Sequence, residues 1–120
     1  MTKITYSIKG QVLFLKAEGH AGGAPRGQNI ICAGVSAITM ALLNILVNDE
    51  AEDRAEVNTK YRINEEKGQL FIRSKPAVAA KFDRVKVKAY YKMAVIGLQA
   101  LAQEYPEEIT IEEEKDNGGD

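Results

Sequence analysis

From Gly27 to Asn48 this 120-residue chain carries no charged side chain, and within that interval Ile31, Val35, Ile38, Leu42 and Ile45 recur at steps of four and three. Such spacing marks one face of an α-helix. Leu43, Leu46 and Val47 make the same helix apolar on other faces as well. It therefore needs a sheet and a second element to cover it, such as another subunit. The run approaches the ~20 apolar residues that cross a bilayer. Gln28, Asn29, Ser36 and Asn44 interrupt it, which suits a buried core helix, and no membrane partner is expected. Asn29 stands where an N-cap residue belongs.

The flanking segments read as strands. Ile4, Tyr6 and Ile8 alternate with Thr5, Ser7 and Lys9, the period-2 mark of a half-buried strand. After the Lys9-Gly10-Gln11 turn, the run Val12 to Leu15 suits a central strand covered on both faces, and this hairpin ends at Glu18-Gly19-His20. Asp49 to Glu56 reads as an acidic, solvated connection. A second hairpin follows, with alternation from Val57 to Ile63, a turn at Glu66-Lys67-Gly68, and Leu70-Phe71-Ile72.

Pro76 is expected to open a second helix. Val78, Phe82, Val85, Ala89, Met93, Ile96 and Ala100 form its apolar stripe, and Lys81, Arg84, Lys88 and Lys92 a basic one beside it. Tyr105-Pro106 ends it, and Glu107 to Ile111 makes a last strand. The order is β-β-α-β-β-α-β, an α+β domain over residues 1–114 with helices on an antiparallel or mixed sheet. Residues 115–120 read as an acidic, disordered tail.

Charge and cysteine content narrow the function. Lys+Arg is 16 against Asp+Glu 17, so no direct nucleic-acid partner is expected from a globally basic surface. The basic stripe from Lys81 to Lys92 lacks the interleaved aromatics that stack bases and reads as a solvated helix face. A single cysteine forms no internal disulfide, and one Cys with one His makes no closed zinc site. No cofactor motif is present, and the start Met1-Thr2-Lys3-Ile4 lacks a signal-peptide core. A cytoplasmic protein is the expectation.

That cysteine and that histidine flank one glycine-rich segment. His20 ends the first hairpin, Cys32 lies about one turn into the first helix, and Gly22, Gly23 and Gly27 mark the loop between them. The amides and dipole of a helix start stabilise a thiolate. A neighbouring imidazole can take the thiol proton and pass it to a leaving amine. These are parts of an acyl-transfer site, with the amides near Ala33 as candidate oxyanion donors. A Cys at the start of an apolar helix is equally the small core hydrophobe such residues usually are. Ser36, one turn beyond Cys32, either serves the site or returns a hydrogen bond to a helix carbonyl.

Gly19-His20-Ala21, the glycine loop, and Asn29-Ile30-Ile31-Cys32-Ala33-Gly34-Val35-Ser36-Ala37 resemble the signature of the ribosomal-processing cysteine protease Prp family. Gly97-Leu98 and the stretch Ala102 to Pro106 extend the resemblance along the chain. It implies a cytoplasmic, homodimeric endopeptidase with Cys32 as nucleophile and His20 as general base. Gly19 and Ser36 match motif positions beside them, and the glycine loop would fold over the substrate. The implied substrate is the precursor of ribosomal protein L-twenty-seven, cut after an aromatic residue to remove its N-terminal extension. Asn29 stands where the family usually has Asp. An amide can cap the helix and orient an imidazole but cannot hold an imidazolium by charge. A non-catalytic, precursor-binding paralogue of the same fold is therefore the alternative.

Overall fold

The computed structural model describes residues 1–19 and 30–114. The cap at Asn29, the glycine loop and the tail 115–120 lie outside the described residues. The sheet is built on two hairpins, each of strands with alternating side chains. β1 (Thr2–Ser7) pairs antiparallel with β2 (Leu13–Glu18), and β3 (Val57–Asn64) with β4 (Gln69–Pro76). They join through β2 and β4, and β5 (Ile109–Glu113) adds parallel to β1. The result is a mixed sheet in the order β3-β4-β2-β1-β5.

Strand direction explains why both helices share one face. β2 is parallel to β3 two places away on one side, and β4 is parallel to β5 three places away on the other. Each pair is linked by one helix, α1 (Ile30–Ala51) or α2 (Lys81–Glu104). Crossovers between parallel strands are right-handed. Because β2 and β4 run oppositely and cross in opposite directions, two right-handed crossovers put both helices over the same face. α1 packs beside α2 and on β3, while α2 reaches β2, β4 and β5.

The core lies between helices and sheet. Ile4, Leu15 and Ile72 from the sheet and Leu46, Tyr91 and Leu98 from the helices are fully enclosed. Tyr91 is the polar exception, and its hydroxyl lies 2.8 Å from Ser74 Oγ, itself 2.9 Å from Thr59 Oγ1. This chain of hydroxyls ties α2 to β4 and β3 and pairs the buried Tyr91 and Ser74 side chains. The helices approach closely at Gly34 and Gly97, where a Cβ would lie 3.0 Å from Leu101 Cδ1 and 3.1 Å from Ile38 Cδ1 respectively.

Several details differ from the sequence reading. Pro76 closes β4 instead of opening a helix, and α2 starts at Lys81. The stripe Phe82, Val85, Ala89, Met93, Ile96 and Ala100 is the outer face of α2, with Phe82 89% and Met93 79% exposed. Val78, also exposed, precedes the helix. The buried face is instead Val87, Tyr91, Ala94, Val95 and Leu98. Two apolar stripes share this helix, and periodicity alone does not say which one meets the sheet. β2 is the central strand but is covered on one face only, since Lys16 is exposed and Phe14 half-buried on the other.

The first helix also runs further than its apolar pattern. Asp49, expected in a solvated connection, belongs to α1 and is 3% exposed. Its Oδ2 accepts a hydrogen bond from the Tyr90 hydroxyl at 2.5 Å and its Oδ1 one from Arg54 Nε at 3.0 Å, with Lys86 Nζ 3.6 Å away. By length and composition α1 could cross a membrane, yet Leu42, Leu43 and Leu46 lie in the core. Met40, Ile45 and Val47 remain exposed.

Candidate active site

Three positions singled out from the sequence line one cleft. Gly19 follows the last residue of β2, Cys32 is the third residue of α1, and Ser36 lies one turn further along the helix. The cleft has a volume of about 350 Å³, within the range of small-ligand sites. Ala17 and Thr2 form its floor, and the β3–β4 hairpin, from Ile63 to Leu70, closes the far side.

Gly19 is required where it stands. Its φ is +89°, and a Cβ there would lie 2.4 Å from the carbonyl oxygen of Met1. Its N–H donates to the carbonyl of Gly68 at 2.9 Å. The strand end leading to His20 is thus fixed between the start of β1 and the β3–β4 turn, which any larger residue would disturb.

Cys32 is half-buried, packed against the core by its own turn of helix. The first turn of α1 carries no acidic residue, and the positive end of the dipole of this 22-residue helix lies beside Cys32. The Ser36 side chain is exposed and makes no hydrogen bond among the described residues. The hydroxyl returned to the backbone belongs to Thr39, whose Oγ1 donates to the Val35 carbonyl at 2.8 Å. Ala33 is exposed and not part of the cleft wall. His20, Asn29, Gly22, Gly23 and Gly27 lie outside the described residues.

The sequence reading did not find the opposite wall. Ile63 and Leu70 face each other across the hairpin and, with Val35 and Met40, give the cleft an apolar side. Asn64, Glu65 and Gln69 give it a polar rim. The signal was present in the period-2 pattern, which puts Ile63 and Leu70 on the helix side of the sheet, beside the turn.

Residues 1–110 match the family model described as cysteine protease Prp. The chain belongs to the Prp cysteine protease family. It is 28% identical over 108 residues to the ribosomal processing cysteine protease Prp of Staphylococcus aureus, covering 90% of this chain and 92% of that protein. Its fold is similar to that of S. aureus Prp in complex with a covalently linked product peptide. That match has TM-score 0.75 and 22% identity, over 95% of this chain and 100% of the other. SMU.848 from Streptococcus mutans is similar as well, with TM-score 0.69 and 27% identity over 94% and 93%. The β-β-α-β-β-α-β order and two-layer packing are therefore those of Prp.

Proposed function

We propose that this chain is a cysteine endopeptidase that removes the N-terminal extension of ribosomal protein L-twenty-seven during large-subunit maturation. The observation that carries this reading is the position of Cys32. In a Prp-family chain with one cysteine, that residue lines a cleft at a helix start, together with the Gly19 that leads directly into His20.

In the proposed reaction His20 accepts the proton of the Cys32 thiol, and the thiolate attacks the scissile carbonyl carbon to form a C–S bond. Amides of the first turn of α1, near Ala33, stabilise the oxyanion. The C–N bond breaks as the imidazolium returns its proton to the leaving amine. Water, deprotonated by His20, then hydrolyses the thioester and regenerates the thiol. Asn29 orients the imidazole by hydrogen bonding, and the segment with Gly22, Gly23 and Gly27 covers the bound peptide. The apolar wall of Val35, Met40, Ile63 and Leu70 takes the aromatic side chain preceding the cut.

The enzyme would work in the cytoplasm as a homodimer. The dimer reading is supported by the apolar outer face of α2, where Phe82, Val85, Met93 and Ile96 are all more than half exposed. A patch of this kind marks an interaction surface. The departure at Asn29 favours one second reading, a precursor-binding module without turnover. Mass spectrometry of the protein quenched in acid during reaction separates the two. An acyl adduct on the peptide containing Cys32 supports the enzyme, and its absence with precursor bound supports the module.

A further inference from the structure

The sheet face away from the helices meets the cleft at its end, through Asn64 and Gln69, and the composition of the rest is unusual. Strand register alternates aromatic and cationic side chains across β2, β4 and β3. Phe14 lies opposite Arg73, which lies opposite Lys60, while Phe71 lies between Lys16 and Arg62. Lys75 continues the same face two residues beyond Arg73. The Phe14 and Phe71 rings are half-buried, 6.2 Å apart and tilted by 36°. Lys60, Arg62, Arg73 and Lys75 are exposed and make no ion pair among the described residues. Lys16 pairs with Glu18 at 3.4 Å. Of the carboxylates on this face, Glu112 lies on the edge strand β5 and Glu18 at the end of β2, opposite Gln69, so the β3–β4–β2 half carries Lys16, Lys60, Arg62, Arg73 and Lys75 against Glu18 and is basic.

We propose that this face binds single-stranded RNA, with bases stacked on Phe14 and Phe71 and phosphates held by Lys60, Arg62, Arg73 and Lys75. Aromatic platforms bordered by cations are what unpaired nucleotides require. Other occupants fit less well. A basic ribosomal precursor would be repelled, as would a second copy docking the same face by twofold symmetry. An acidic peptide would satisfy the charges but has no use for the paired rings. The whole-chain charge of −1 conceals the face because acidic residues elsewhere offset it. The inference goes beyond the proposed proteolysis and does not depend on turnover at Cys32.

Fluorescence anisotropy with a labelled single-stranded RNA oligonucleotide tests it, using the full-length protein and an oligoglutamate of equal charge as competitor. Four phosphate contacts predict a slope of roughly −3 for log affinity against log salt. Lys60→Glu with Arg73→Glu, both exposed, should weaken RNA binding more than about ten-fold and flatten that slope. Phe71→Leu keeps every charge and should cost about ten-fold for RNA while leaving oligoglutamate binding unchanged. Circular dichroism confirms that each variant is folded. RNA binding insensitive to the charge reversals, or oligoglutamate competing as well as unlabelled RNA, would overturn the proposal. Equal RNA affinity for Phe71→Leu would overturn the stacking that defines it.

Discussion

Replacing Gly19 by alanine perturbs a backbone position that serves both the cleft and the fold. A non-glycine residue at φ +89° carries a cost of about 1–3 kcal/mol. The new Cβ would also sit 2.4 Å from the Met1 carbonyl oxygen, so the backbone must part by about 1 Å to reach ordinary contact, an overpacking cost of about 1–3 kcal/mol. Thr2 begins β1 and its N–H donates to the Glu108 carbonyl at 2.8 Å, so displacing Met1 pulls on the β1–β5 edge. The expected total is about 3 kcal/mol, which for a domain of this size lowers Tm by roughly 12 °C. Gly19→Asn separates the two causes, because asparagine tolerates positive φ but carries the same Cβ. It should recover only about 1 kcal/mol of the loss. Thermal unfolding followed by circular dichroism measures both variants. A Gly19→Ala midpoint within about 3 °C of wild type, or full recovery by Gly19→Asn, would refute the argument from close approach.

Tyr91→Phe removes the hydroxyl that pairs with Ser74 and should cost about 1–2 kcal/mol in urea unfolding, whereas an unchanged midpoint would mean that Ser74 is satisfied by Thr59 alone. Burial tends to raise the Asp49 carboxyl, but hydrogen bonds from Tyr90 and Arg54 and the charges of Lys86 and Arg54 more than offset it and hold it below its ordinary value. Its stabilisation is therefore complete above the unfolded carboxyl pKa of about 4 and lost as pH falls through the lower folded value. Asp49→Ala should cost about 2 kcal/mol at neutral pH, and the gap to wild type should close in acid; a pH-independent gap would contradict this. Burial and the Asp49 carboxylate push Tyr90 up to about 12, so an ultraviolet titration should find it ionising above the ordinary tyrosine value of about 10, with its contribution lost as pH rises toward that value. Met93→Asp, at a position 79% exposed, should convert a dimer to a folded monomer in light scattering, and an unchanged mass would exclude the outer face of α2 as the interface.

The element order was legible because each segment has a clear period: two for the strands, three to four for the helices, with glycine and proline between. The errors came where one pattern allowed two packings. On α2 the regular stripe through Phe82 and Met93 is outermost, because the crossover from β4 to β5 sets which side of the helix meets the sheet. Asp49 read as solvent-exposed since its partners, Arg54 and Tyr90, are brought to it by tertiary packing. At the site, the Gly-His and Cys-Ala-Gly motifs identified Gly19, Cys32 and Ser36, which do meet at one cleft. The wall from Ile63 to Leu70 comes from a distant hairpin, so no local motif announced it. The basic sheet face was hidden for the same reason, being assembled from three strands whose charges are scattered in sequence.

The central claim is tested most directly by incubating the protein, in parallel with Cys32→Ser, with the L-twenty-seven precursor from the same organism and following the intact mass of the precursor. Loss of one N-terminal peptide with wild type, and none with Cys32→Ser, is the predicted result. An intact precursor with both proteins, or equal cleavage by both, would contradict it.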